Sequence, residues 1–201
     1  KNKNLKEPLG CTNDLTKEFF LLSDNLSIKK IEIDTHKYRD WVVNNINIIT
    51  SNTRFVPNIL KKKFNSTIKV TYENDDYCIL IGRVRHSGDA KDHIALKGNS
   101  IIQSLDISLD YGKIKGITKF KLFKPNVRGV LNDVLIQTQL LRDFGYLAPR
   151  SYKVEARVNQ MNSVMLFQEK AAKELLEFNK RREGPILEGD QKYFFKLVKD
   201  I

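Results

Sequence analysis

Thr67-Ile68-Lys69-Val70-Thr71-Tyr72 and Tyr77-Cys78-Ile79-Leu80-Ile81 flank the acidic turn Asn74-Asp75-Asp76. Both arms are rich in β-branched and aromatic residues, which pack well on a pleated surface. Two such runs joined by Asn and Asp form a β-hairpin signature. The hairpin commits the middle third of the chain to antiparallel pairing. Residues 104–111 and 117–123 continue the sheet, joined by the turn Gly112-Lys113-Ile114-Lys115-Gly116.

The flanks carry other periods. Residues 28–33 alternate apolar and charged side chains, as a half-buried strand does. Thr35 is placed to cap a helix in which Tyr38, Trp41, Val42, Asn45 and Ile49 recur at helical spacing. Asn132 caps a second helix, Asp133 favours its positive N-terminus, and Gly145 stops it. Leu135, Leu140, Leu141 and Phe144 supply the inner face of that helix. A hairpin follows at 152–158 and 164–167, then a helix at 171–182 ended by Gly184-Pro185, then a strand at 193–198. Residues 1–27 read as a polar leader, and residues 28–201 as the folded domain. Sheet, helix, hairpin and helix in this order predict an α+β fold, an antiparallel sheet with packed helices.

Composition bounds the function. The chain has 201 residues, 41% of them hydrophobic, enough for a real core. No apolar run approaches the ~20 residues that span a bilayer, so no membrane segment is expected. The two cysteines, Cys11 and Cys78, exclude a disulfide framework and a four-cysteine zinc site, and reduced cytosolic thiols are the simpler reading. Such a chain is cytoplasmic or associated with a particle or surface. A formal charge of +11 favours anionic partners. The knots Lys61-Lys62-Lys63 and Lys180-Arg181-Arg182 lack the interleaved aromatics of a single-strand binder. A solvated basic surface is the simpler account, and nucleic-acid binding rests on charge alone.

Arg83-Val84-Arg85-His86-Ser87-Gly88-Asp89-Ala90-Lys91-Asp92-His93-Ile94 concentrates both signs of charge and two histidines after a strand. His86, Asp89, Asp92 and His93 are suitable metal ligands, but their spacing matches no ligand motif, so no metal site is assigned. Ser87 and Ser100 lie outside any nucleophile elbow. On residues 117–123, Lys119 and Lys121 share one face, since side chains alternate with period two. Together with Arg128 in the next connection and Asp133 opening the next helix, they form a candidate phosphate site in which Asp133 orients a lysine. Lysines coating a solvent-facing strand explain the same pattern. Glu169 follows a strand, where a hinge between lobes would lie, and also suits the N-terminus of the following helix.

In order and wording these motifs resemble the CotH-like family, atypical protein kinases typified by a spore-coat protein. The resemblance runs from the loop Arg83–His93 through Gly116-Ile117-Thr118-Lys119-Phe120-Lys121-Leu122, Pro125-Asn126-Val127-Arg128, Asn132-Asp133 and Gln168-Glu169. Leu176-Glu177-Phe178-Asn179-Lys180-Arg181-Arg182-Glu183-Gly184-Pro185-Ile186-Leu187 is its most specific match. Membership implies the N-terminal lobe and hinge of a kinase-like fold, with ATP and Mg or Mn supporting phosphoryl transfer to protein hydroxyls. It implies that Lys119, Lys121, Arg128 and Glu169 serve the nucleotide, and that Asp133 orients the phosphate-holding lysine. Arg85, Asp89, Asp92 and His93 then shape the entry loop, and Arg182, Glu183 and Gly184 belong to the motif after the hinge. Asp106 stands where many relatives carry a basic residue. The family's metal-binding aspartates belong to the following lobe, so the expectation is a truncated domain, active only when full length. The competing readings are a non-catalytic interaction module on the same scaffold, with an assembly partner, and a basic nucleic-acid-binding protein.

Overall fold

The computed structural model describes residues 10–11, 27–98, 100–127 and 131–187. Its strands are β1 (Gly10–Cys11), β2 (Ile28–Thr35), β3 (Phe64–Tyr72), β4 (Tyr77–His86), β5 (Ile94–Lys97) and β6 (Ser100–Gln103). They continue with β7 (Leu105–Tyr111), β8 (Lys119–Phe123), β9 (Ser151–Val158) and β10 (Met161–Glu169). Three helices accompany them: α1 (Tyr38–Thr50), α2 (Leu131–Asp143) and α3 (Lys173–Phe178).

The expected hairpin is β3 and β4, paired antiparallel with Ile68 opposite Leu80 and Val70 opposite Cys78. From it the sheet runs β4-β3-β2-β9-β10-β8-β7, and β7 pairs back onto β4. The result is a closed seven-stranded barrel, mixed because β2 and β9 run parallel. Strands β5 and β6 form a separate hairpin outside it. Alternation fills the interior: Ile31, Ile33, Ile68, Val70, Leu80, Val84, Leu105, Ile107, Phe120, Leu122, Val154 and Phe167 belong to one buried cluster. Closure leaves no long unpaired edge to manage.

One glycine permits that closure. The β4–β7 register shifts between Ile81 and Gly82, and a Cβ on Gly82 would lie 2.7 Å from the Ser108 carbonyl oxygen. Any side chain there pushes β7 away from β4.

The barrel ends are stopped differently. At one, Trp41 of α1 meets Phe64 edge to face, with centroids 5.3 Å apart. At the other, Arg150 and Glu169 form a buried ion pair, 1% and 4% exposed. Arg150 Nε and Nη2 donate to the two Glu169 oxygens at 2.8 and 2.7 Å. Its Nη1 donates to the Lys115 carbonyl at 2.7 Å, and the Phe178 ring covers the guanidinium at 4.0 Å. Strands β9 and β10, the 114–117 turn and α3 are thereby tied at one point.

This architecture corrects the α+β expectation and the kinase-like lobe with packed helices. The chain is mostly β. Strand β4 runs on to His86, so Arg83–His86 are sheet rather than loop, and β2 joins β9 to shut the sheet. The helix expected at 171–182 is cut to Lys173–Phe178. Thr35 does not cap α1. It ends β2, and its amide and hydroxyl both donate to Asn159 Oδ1. Asn132 lies inside α2 rather than at its cap. The inner face of α2 is also different: Leu140, Leu141 and Phe144 are exposed, while Thr138 is buried.

Cys11 and Cys78 form a disulfide, which corrects the reduced-thiol reading. A bond of this kind persists in oxidising surroundings rather than a reducing cytosol. It attaches Gly10–Cys11 of the expected leader to β4. The strand expected at 193–198 lies outside the described residues. Among the described residues no helix is long and apolar enough to cross a membrane.

Breaking a buried ion pair from one side strands a charge, at a cost of about 3–5 kcal/mol. Arg150→Met is therefore expected to lower stability by that order in urea denaturation at neutral pH. Arg150→Met combined with Glu169→Leu is expected to recover most of the loss.

Candidate anion-binding face

Side chains directly opposite one another in a sheet share a face. Register therefore assembles one outward row across five strands: Arg85, Asp106, Lys121, Gln168 and Ser151. Arg83, Ser108 and Lys119 form the neighbouring row. Two of the lysine and arginine sites read from sequence, Arg85 and Lys121, thus flank Asp106.

Asp106 is the organising group. Its residue is 7% exposed. Arg85 donates to Oδ2 from Nε at 3.1 Å and from Nη2 at 2.6 Å. Lys170 Nζ lies 3.1 Å from both carboxylate oxygens. Burial alone would push the Asp106 carboxyl up, but the Arg85 hydrogen bond and the Lys170 charge outweigh it and hold the pKa below the ordinary value. The carboxylate stays ionised and holds two cations in place.

Charge on this face is unbalanced. Arg83, Arg85, Lys119, Lys121 and Lys170 gather around Asp106 and Asp110 among the described residues, and Arg83 forks onto Asp110 at 2.7–3.1 Å. The β2–β9 face is different. There Arg157 bonds Glu32 and Asp34, each at 2.8 Å, and Lys30 lies 3.1 Å from Glu32. With Lys153 and Glu155 added, that face is neutral.

The other sequence-derived residues disperse. Glu169 belongs to the barrel plug. Asp133 stands exposed on the first turn of α2 and lines an apolar groove of about 410 Å³ with Ile136, Gln137, Leu140, Leu141 and Phe144. Arg128 lies outside the described residues. Arg182, Glu183 and Gly184 are exposed, and Glu183 pairs with Lys173 at 2.7 Å.

The loop after β4 acts as a clamp. Lys91 donates to the Ile49 and Ser51 carbonyls at the end of α1. Asp89 pairs with Lys61, and its carbonyl accepts the Val56 amide at 2.7 Å. Asp92 sits in the one-turn 3₁₀ helix Lys91–His93. The His93 ring lies under Gly88, where a Cβ would approach within 2.2 Å, and 6.2 Å from the Phe123 ring. Among the described residues no three His, Cys, Asp or Glu side chains are grouped to hold a metal ion.

Sequence reasoning missed Arg150 and Lys170. The signal for Arg150 was strand parity: it shares the inward phase of Tyr152, Val154 and Ala156. Lys170 had none beyond its position beside Glu169.

His86 is 2% exposed, and Gln103 Oε1 meets its Nδ1 at 3.0 Å. Burial pushes its pKa down to about 4, with the Gln103 bond opposing in part. The unfolded chain therefore binds this proton at a higher pH than the folded one does. Stability is full above the unfolded value near 6.5 and falls as pH drops toward 4, by about 3 kcal/mol in total. His86→Gln should flatten this limb in pH-dependent urea melts. Asp106→Asn should lower stability throughout the neutral range, where the ionised carboxylate contributes fully, and flatten the pH dependence only below about 4, where that contribution is lost in the wild type.

No protein-family model matches the chain, and no curated protein matches it.

Proposed function

We propose that this chain is a binding module for phosphate-bearing anions, with the outer face of β4, β7 and β8 as its site. The observation that carries the reading is the excess of five basic side chains over two carboxylates there, organised around Asp106. A phosphate group offers several acceptor oxygens and up to two charges, so Arg85, Lys121 and Lys170 can donate to it together. Adjacent strands lie ~4.8 Å apart, which sets the heads of Arg85 and Lys121 on either side of Asp106 at bridging distance. The sequence resemblance points to Lys121 and its same-face neighbour Lys119. The proposal extends to binding and not to phosphoryl transfer, because the barrel departs from the lobe on which that transfer was expected.

The test is thermal shift and calorimetric titration at low salt with inorganic phosphate, pyrophosphate and ATP. Stabilisation is expected for the wild type, loss for Lys121→Glu, and retention for Lys153→Glu on the neutral face. No stabilisation by any of the three, or equal loss in both variants, would sink the reading. An oligonucleotide arm separates polymer from small ligand. Binding to single strands alone, with affinity falling about 0.7 log units per log of salt for each phosphate neutralised, would favour nucleic acid instead.

A second reading, assembly with a protein partner, has its own observation. Phe144 is 74% exposed, Ile136 59% and Leu140 49%, a contiguous apolar stripe on α2. Leu140→Asp with Phe144→Asp is expected to abolish any concentration-dependent association in sedimentation velocity while leaving the circular dichroism unchanged. Association that persists in the variant removes α2 as the contact.

A further inference from the structure

We infer that the Cys11–Cys78 disulfide is a redox latch, holding β1 (Gly10–Cys11) over the part of the β4 edge that β7 leaves unpaired. Strand β7 covers β4 only from Ile81 to His86. Toward the start of β4 its place is taken by β1, with Gly10 opposite Ile79 and Cys11 opposite Cys78. This inference is independent of the anion-binding reading.

A strand of two residues cannot hold itself. Ordering each residue costs roughly 1–2 kcal/mol of backbone entropy, and a lone pair of ladder positions returns little against it. The covalent bond is therefore what keeps β1 in register. Cys78 is fully buried, whereas Cys11 is only partly so. Cys11 packs against the same core from its margin, so attack by a thiolate falls on Cys11 rather than Cys78.

The chemistry balances with a dithiol reductant. One thiolate of the reductant bonds to the Cys11 sulfur, the Cys11–Cys78 bond breaks, and Cys78 leaves with the electron pair and takes a proton. The second thiol of the reductant then displaces Cys11, which also gains a proton. The reductant ends as its own disulfide, two electrons lighter, and both cysteines are free thiols. With the bond gone, the β4 backbone at Cys78 and Ile79 loses its β1 partner.

The experiment uses the whole chain, oxidised and then reduced with a dithiol, followed by hydrogen exchange. Before reduction neither cysteine should react with iodoacetamide. After it, exchange in peptides covering residues 77–80 should rise about tenfold or more, while β9 and β10 stay protected. Cys11→Ser should reproduce the released state without reductant. It is the variant of choice because Cys78 lies in the core, where substitution disturbs packing. Two reactive thiols in the unreduced protein would overturn the inference. So would unchanged exchange at 77–80 after reduction, or loss of protection throughout the barrel, which would make the bond a general staple.

Discussion

Strand β4 is the hinge pin of the barrel. One edge is filled by β3, and the other is divided between β7 and the short β1. Everything else follows from how tightly β7 lies against that second edge. Gly82 sits where the register shifts, with no room for a Cβ against the Ser108 carbonyl. A sheet of the same strands that failed to meet there would stay open, with two long edges exposed to other chains. The apolar interior is a product of the closure, since each inward side chain finds its neighbours only when the ring is complete.

The same closure sorts charge. Once the inward positions are apolar, every charged strand residue but Glu169 is turned out or lies at an end. The neutral β2–β9 face ties distant strands through Arg157, Glu32 and Asp34. The basic β4–β7–β8 face instead has one buried carboxylate holding two cations. Half-exposed pairs such as Arg157 with Asp34 contribute little to stability, of order 0–1 kcal/mol each. The second arrangement gathers positive charge on one face, and for that reason it draws the functional reading.

Local pattern made the strands legible. The β3–β4 hairpin, β7, β8, β9 and β10 all lie where alternation and turn residues indicate. Closure was not legible, because the parallel β2–β9 pairing has no turn between its partners to announce it. The outer face of α2 was misjudged for a related reason. Leu140, Leu141 and Phe144 form a sound apolar stripe, but periodicity says only that a stripe exists and not that something within the chain covers it. Of the site, strand parity correctly grouped Lys119 with Lys121. It could not bring in Asp106, Arg85 or Lys170, whose convergence depends on register between strands. The cysteine pair was hidden likewise, being 67 residues apart in sequence and adjacent only in the sheet.

The β2–β9 pairing has a consequence for how the protein is made. Glu32 and Arg157, which meet across it, are separated by 125 residues. On a ribosome, β2 emerges early and can pair with β3, but its other edge waits until β9 has been synthesised. Through most of translation the nascent chain therefore carries an open, hydrogen-bond-hungry edge and a half-built apolar interior. Synthesis of this barrel is a period of exposure that ends only when β9 and β10 arrive.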